Sequence, residues 1–214
     1  MRKIILASTS PRRKELFAKF GIPFTVVAPN FEEDMTQNLP PEILVQQLAL
    51  GKAQSIAHRF PNAIIVSADS IVVFRGQVLG KPKTATRAAE MLRALQNKRN
   101  TIISGVAILD TQTGKTITFM DAGDAILMPM SEQDIAWYIA TSEPHGRAGA
   151  FAIQDIGMQF IKRIDGNLST IIGLPLPHLR RQLLKMGILS VDKKIPTKSS
   201  SAGRRVFPAT HHGL

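Results

Sequence analysis

The chain has 214 residues, of which 44% are hydrophobic and 20% charged. That is enough apolar material for one well-packed domain and too much for a wholly disordered chain. No run approaches the length of a membrane-spanning helix, and the apolar start, Ile4-Ile5-Leu6, ends at Ser8, too early for a signal peptide. Cysteine is absent, which excludes disulfides and thiolate metal sites and fits a reducing cytoplasm. The 27 Lys and Arg against 16 Asp and Glu leave a net charge of +11, so the partner expected is an anion. Part of that excess lies in residues 188–214, where Lys193, Lys194, Lys198, Arg204 and Arg205 face one acid, Asp192. With three consecutive serines and little apolar periodicity, 188–214 reads as a basic, disordered tail, and 1–187 as the folded body.

Along that body, short β-branched runs alternate with segments of helical period, the pattern of an α/β protein with a mixed sheet. Ile4–Ala7 is a strand, followed by a helix from Pro11 to about Phe20 that stops at Gly21. Phe24–Val27 is a second strand, and a long helix runs from Pro41 to about Arg59. Ile64–Val66 and Ile71–Phe74 read as two strands, the latter turning at Arg75-Gly76 into Val78-Leu79. Thr84–Leu95 is a helix, and Thr101–Leu109 and Thr116–Leu127 are neighbouring strands. Helices at Ser131–Thr141 and Pro177–Met186 bracket a glycine-rich stretch with one strand, Phe160–Ile164.

Four places break local rules. Ser10 is a good helix cap and Pro11 a good first residue, yet Arg12, Arg13 and Lys14 fill the first turn, where the helix dipole favours acids. Hydroxyls, free N–H groups and guanidinium forks at one helix start suit a phosphate; the bland reading is a solvated basic turn. Leu44, Leu48, Lys52 and Ile56 follow one another at i+4, so Lys52 sits on an apolar stripe. It either snorkels to the rim or points into a cleft holding negative charge. Asp69 interrupts a run of strand formers, as an Asx break between strands or as a buried carboxylate that needs a partner. Lys81 is held between Gly80 and Pro82 at a strand end, and Arg147 stands among small residues ahead of Gln154, an amide able to read a base edge or to satisfy backbone. No histidine has metal-ligand spacing, and P-loop, GxGxxG, HExxH and GxSxG motifs are missing. Several cations around a lone strand carboxylate suit metal-assisted hydrolysis of a polyphosphate better than nucleophilic catalysis by Ser or Cys.

These segments resemble the Maf family of nucleotide pyrophosphatases over nearly all of 1–187. The markers are the run Leu6-Ala7-Ser8-Thr9-Ser10-Pro11-Arg12-Arg13, then Gly51-Lys52-Ala53, Ala68-Asp69-Ser70, Leu79-Gly80-Lys81-Pro82, Ser104-Gly105-Val106, the stretch from Glu143-Pro144 to Gln154, and Gly166-Asn167-Leu168-Ser169 through Leu176. The resemblance implies a single elongated α/β domain of the Maf/ITPase-like kind, with a central mixed sheet, flanking helices and a cleft. It also implies hydrolysis of a nucleoside triphosphate to monophosphate and pyrophosphate, with Mg²⁺ or Mn²⁺ as cofactor. Carried over by position, Asp69 takes the catalytic place, as proton acceptor or metal ligand. Ser8, Arg13, Lys52 and Lys81 take phosphate-binding places, Glu33 joins Asp69 at the metal, and Arg12, Ser70 and Gln154 set base preference. The Pro-Arg-Arg form resembles the branch acting on dTTP and UTP, and the family often forms homodimers. Three positions depart from the family pattern: Asn100 and Asp155, both expected close to the site, and Ala125-Ile126-Leu127. The competing class is a non-catalytic basic protein that binds nucleic acid or regulates cell division. With one Trp and one Tyr and no reader motif, specific nucleic-acid binding is not expected.

Overall fold

The structure is a computed structural model that describes residues 2–35 and 37–190. A seven-stranded sheet runs through the molecule: β1 (Lys3–Ala7), β2 (Thr25–Val27), β3 (Ala63–Phe74), β4 (Gln77–Leu79), β5 (Arg99–Asp110), β6 (Thr116–Leu127) and β7 (Ile161–Asp165). The order is β2-β1-β3-β5-β6-β7, with β4 paired to the far end of β3. β1 pairs in parallel with β2 and β3, and the other pairings are antiparallel, so the sheet is mixed. The helices are α1 (Pro11–Ala18), α2 (Pro41–Ala57), α3 (Ala85–Leu95), α4 (Glu132–Ala140), α5 (Leu168–Ile172) and α6 (Leu176–Lys185).

Alternation along β3 divides the core. Ile65 and Ile71 point toward α2, where Val45, Ala53 and Ile56 cover them. Ile64, Val66 and Ala68 point the other way, onto Leu16 and Phe17 of α1 and Leu179 and Leu183 of α6. A third cluster joins α3 and α4 to the distal half of the sheet through Leu92, Leu95, Tyr138 and Phe160. At the C-terminal end Leu189 is buried in the α1–α6 cluster, so packed chain extends past residue 187. The tail reading for 191–214 lies outside the described residues.

Two expectations from sequence are corrected. The runs Ile64–Val66 and Ile71–Phe74 are one unbroken strand, with β5 paired from Ile64↔Asp110 to Val73↔Thr101. Asp69 needs no backbone break, because its side chain finds a cation. The second correction is α5, a five-residue helix in the glycine-rich stretch, capped by Asn167 and closed by Gly173 at φ 126°. It is too short for a 3.6-residue period to register, and its stop depends on a backbone conformation that favours glycine.

The pairing also leaves a notch. β1 ends opposite Ser67, and β4 pairs with β3 only from Val72 to Phe74. Among the described residues, Ala68 to Ile71 therefore have no ladder partner on that side of β3. β1 stops there because Ser8-Thr9-Ser10-Pro11 turns into the capped start of α1.

Candidate active site

The notch opens into a cleft of about 430 Å³, within the range of small-ligand sites. Its lining includes Ser8, Arg12, Arg13, Glu33, Lys52, Asp69, Ser70 and Lys81. Eight of the nine residues singled out from sequence thus meet at one place. Asp69 and Ser70 are consecutive on a strand and face opposite sides of the sheet; both reach the cleft because the strand edge between them is open.

On the α1 side, the Ser8 hydroxyl accepts from Ser10 N at 3.1 Å, and the Ser10 cap accepts from Arg13 N at 3.4 Å. The Arg13 guanidinium folds inward. Its Nε donates to Gly173 O at 3.0 Å and its Nη2 to Ser70 Oγ at 3.0 Å. Burial pulls Arg13 below the ordinary guanidinium value, against the opposing charges of Asp69 and Glu33. It keeps its charge, since guanidinium groups remain protonated in proteins. Arg12 is lowered as well, first by burial and then by Arg147, a second cation in the same cleft. Two guanidinium groups held near each other in a partly buried site favour an anionic or carbonyl-rich ligand.

On the α2 side, Lys52 does not snorkel. It is 7% exposed, and its ammonium donates to Asp69 Oδ1 and lies 2.7 Å from Glu33 Oε1. A glycine positions the second partner. A methyl group on Gly51 would lie 2.3 Å from Phe31 Cε2, so the bare backbone lets Phe31 seat on α2 and brings Glu33, two residues on, to Lys52. Burial alone would raise the Glu33 carboxyl. The Lys52 hydrogen bond and the charges of Lys52, Lys81 and Arg13 outweigh it and hold Glu33 below the ordinary carboxylate range.

The far wall comes from 146–153. Arg147 lines it, 3.6 Å from Glu143 Oε1 and 3.5 Å from Asp155 Oδ2, and its Nε is buried without a hydrogen-bond partner among the described residues. Tyr138 holds this wall from behind, its hydroxyl accepting from Ala152 N at 3.1 Å. Gln154 is half-buried just past Ile153, the last residue of this segment to line the cleft, and precedes the following 3₁₀ turn without a side-chain capping hydrogen bond. Asp155 adopts φ 57°, a left-handed conformation that glycine takes freely and Asp tolerates better than most residues. Asn100, expected near the site, is instead fully buried beneath α3. Its Nδ2 donates to Leu95 O, Lys98 O and Ala125 O, so it closes a helix end and lines no part of the cleft.

Sequence reading passed over Phe31, whose role shows only once Gly51 is placed against it, and left Arg147 and Ser104 without roles. Among the described residues no three His, Cys, Asp or Glu side chains converge into a cation cage. The oxygen donors at hand are the Glu33 and Asp69 carboxylates. That pair fits Mg²⁺ or Mn²⁺ held partly by substrate, since Mg²⁺ commonly takes one or two carboxylates plus substrate phosphates.

The sequence profile described as Maf-like protein matches residues 3–186, nearly the whole described chain. The chain belongs to the Maf-like protein family. It is 39% identical over 194 residues to the dTTP/UTP pyrophosphatase of Methanosarcina mazei, covering 90% of this chain and 98% of that one. To the dTTP/UTP pyrophosphatase of Geobacillus sp. strain WCH70 it is 38% identical, covering 87% of this chain and all of the relative. Among solved structures, a HAM1 protein from Coxiella burnetii superposes with a TM-score of 0.51 at 16% identity, over 86% of this chain and all of that one. That likeness places the Maf-like chain in the same α/β architecture. Among the described residues no helix is long and apolar enough to cross a membrane.

Proposed function

We propose that this protein hydrolyses dTTP and UTP to the nucleoside monophosphate and pyrophosphate. The observation that carries the reading is Lys52, buried between Asp69 and Glu33 at the open edge of β3, with Arg13 and Lys81 beside them. A cluster of three cations around two carboxylates accepts a triphosphate and still keeps acidic oxygens next to it. The relatives named dTTP/UTP pyrophosphatase, matched over nearly their full lengths, support the choice of substrate.

In the proposed reaction, Lys52, Lys81 and Arg13 neutralise the phosphate oxygens, and the Ser8 hydroxyl donates its proton to one of them. Asp69, fixed by Lys52, orients the attacking water and takes its proton. The water oxygen bonds to the α-phosphorus, the bond to the bridging oxygen breaks, and pyrophosphate leaves with the electron pair. Glu33 and Asp69 would hold a divalent cation, Mg²⁺ or Mn²⁺, whose charge stabilises the phosphates of substrate and leaving group. Arg12, with donors only, and Ser70 line the cleft on the α1 side and are assigned to the base.

The test is incubation of the protein with a panel of canonical nucleoside triphosphates plus Mg²⁺ or Mn²⁺ and identification of the products. Monophosphate with pyrophosphate from dTTP and UTP is expected. Diphosphate with phosphate would exclude attack at the α-phosphorus, and no product from any nucleotide would favour a non-catalytic, regulatory protein.

A further inference from the structure

Ser70 and Ser104 sit directly opposite each other on β3 and β5, with their hydroxyl oxygens 2.8 Å apart. Ser70 lines the cleft; Ser104 is fully buried behind it. The direction of the bond between them follows from their other neighbours. Ser104 Oγ lies 2.7 Å from Thr170 O, and a carbonyl only accepts, so the single Ser104 proton is committed there. The same carbonyl accepts Gly173 N at 3.0 Å, and Thr170 Oγ1 is anchored on Asp121 Oδ2 at 2.6 Å. Ser104 can therefore only accept from Ser70, and the Ser70 proton points inward. Arg13 Nη2 fills one Ser70 lone pair at 3.0 Å. What remains for a ligand is one acceptor lone pair and no donor.

We propose that Ser104 is a positioning residue that fixes Ser70 as a hydrogen-bond acceptor toward the base, and so selects uracil and thymine over cytosine. This rests on the pyrimidine triphosphate reading above. Uracil and thymine carry a ring N3–H donor between two carbonyl oxygens, which suits an acceptor hydroxyl in a cleft that also holds the Arg12 donors. Cytosine has a lone pair at N3, which would face the Ser70 lone pair with no proton between them. Rejection by an unpaired buried polar group is stronger than rejection by size alone. The geometry at Gly173 protects the arrangement, because a side chain there would begin 3.2 Å from Ser70 Oγ.

The experiment measures kcat/KM for UTP and CTP with wild type, Ser104→Ala, Ser70→Ala and the double variant. Wild type is expected to favour UTP. Ser104→Ala removes the inward acceptor, so the Ser70 proton turns to the cleft and can meet cytosine. The UTP/CTP ratio then falls about tenfold, the effect of one misdirected hydrogen bond. Ser104→Ala is expected to add nothing to Ser70→Ala, because both act through one hydroxyl. A purely structural Ser104 would lower UTP and CTP turnover together and leave the ratio unchanged, which overturns the inference; so does a wild type that does not discriminate. If Ser104→Ala does not fold, Ser104→Cys, whose sulfur is only a weak acceptor for the Ser70 proton, must lower the ratio instead, and an unchanged ratio counts against the inference equally. Failure of the underlying reading is seen separately, as a wild type that yields no pyrophosphate from UTP or dTTP, and the inference falls with it.

Discussion

Gly105 lies opposite Asp69 on β5, with the main chain of α2 packed directly against it. A methyl group there would sit 2.5 Å from Val45 O, 2.7 Å from Val45 C and 2.9 Å from Gln46 N. All three are main-chain atoms of a helix and no rotamer can move them, so Gly105→Ala must push α2 away from β5. Restoring 3.4 Å of ordinary contact needs a retreat of nearly an ångström. Overpacking of this kind costs about 1–3 kcal/mol, or roughly 4–8 °C in Tm for a loss of 2 kcal/mol in a domain of this size. The same retreat carries Lys52 away from Asp69, and a displacement of about 1 Å can reduce turnover by about 10²-fold. Pyrophosphate release and thermal unfolding of the purified variant would both be measured, with Gly80→Ala as the thermal control, since nothing lies within 4 Å of its added carbon. A Gly105→Ala protein with wild-type Tm and wild-type turnover would refute the argument that backbone contact at Gly105 sets the distance from α2 to the sheet.

Asp69→Asn is expected to lower pyrophosphate release by at least ~10²-fold while Lys52 keeps Glu33 as a partner, so far-UV circular dichroism should be unchanged. Lys81→Arg should also cripple turnover if a compact ammonium is required, read as kcat under saturating nucleotide. Glu33 is held below the ordinary carboxylate range, so its ionised form stabilises the fold above the unfolded-state pKa and loses that contribution as pH falls through the depressed folded value. The Tm gap between wild type and Glu33→Gln should therefore be widest near neutral pH and close in acid; a gap that grows in acid would contradict the ion pair. Tyr138→Phe leaves Ala152 N without its acceptor and should lower stability by about 1–2 kcal/mol, measured by denaturant unfolding.

Much of this architecture is legible in sequence because the elements are long and their periods clear. The two twelve-residue strands β5 and β6 and the seventeen-residue α2 fall where apolar patterning puts them. The site is legible where a charge contradicts its surroundings. Lys52 on an apolar stripe, Asp69 in a strand and Arg13 in a helix first turn are each costly unless paired, and they pair with or act on one another. What periodicity cannot show is direction. A strand break and a buried carboxylate look alike until Lys52 is placed against Asp69, and Asn100 and Ser104, both buried polar residues of β5, are told apart only by their partners, a helix end for one and Thr170 O with Ser70 for the other. Gln154 stands one residue past Ile153, the last residue of its segment to line the cleft, and position in the sequence alone does not show how far its amide reaches.

The open stretch of β3 between Ala7's partner and Leu79's partner makes the width of the working space a property of chain length. Extending β1 by two residues would pair the main chain of Ala68 and Asp69 and bring a wall to where substrate is proposed to lie; moving Pro11 would shift the helix start with it. A substitution at Ser70 is proposed to retune what is held without disturbing this frame. Insertions and deletions ahead of Pro11 act on the frame itself, so this short segment should tolerate exchange of the exposed Thr9 side chain far better than any change in the number of residues.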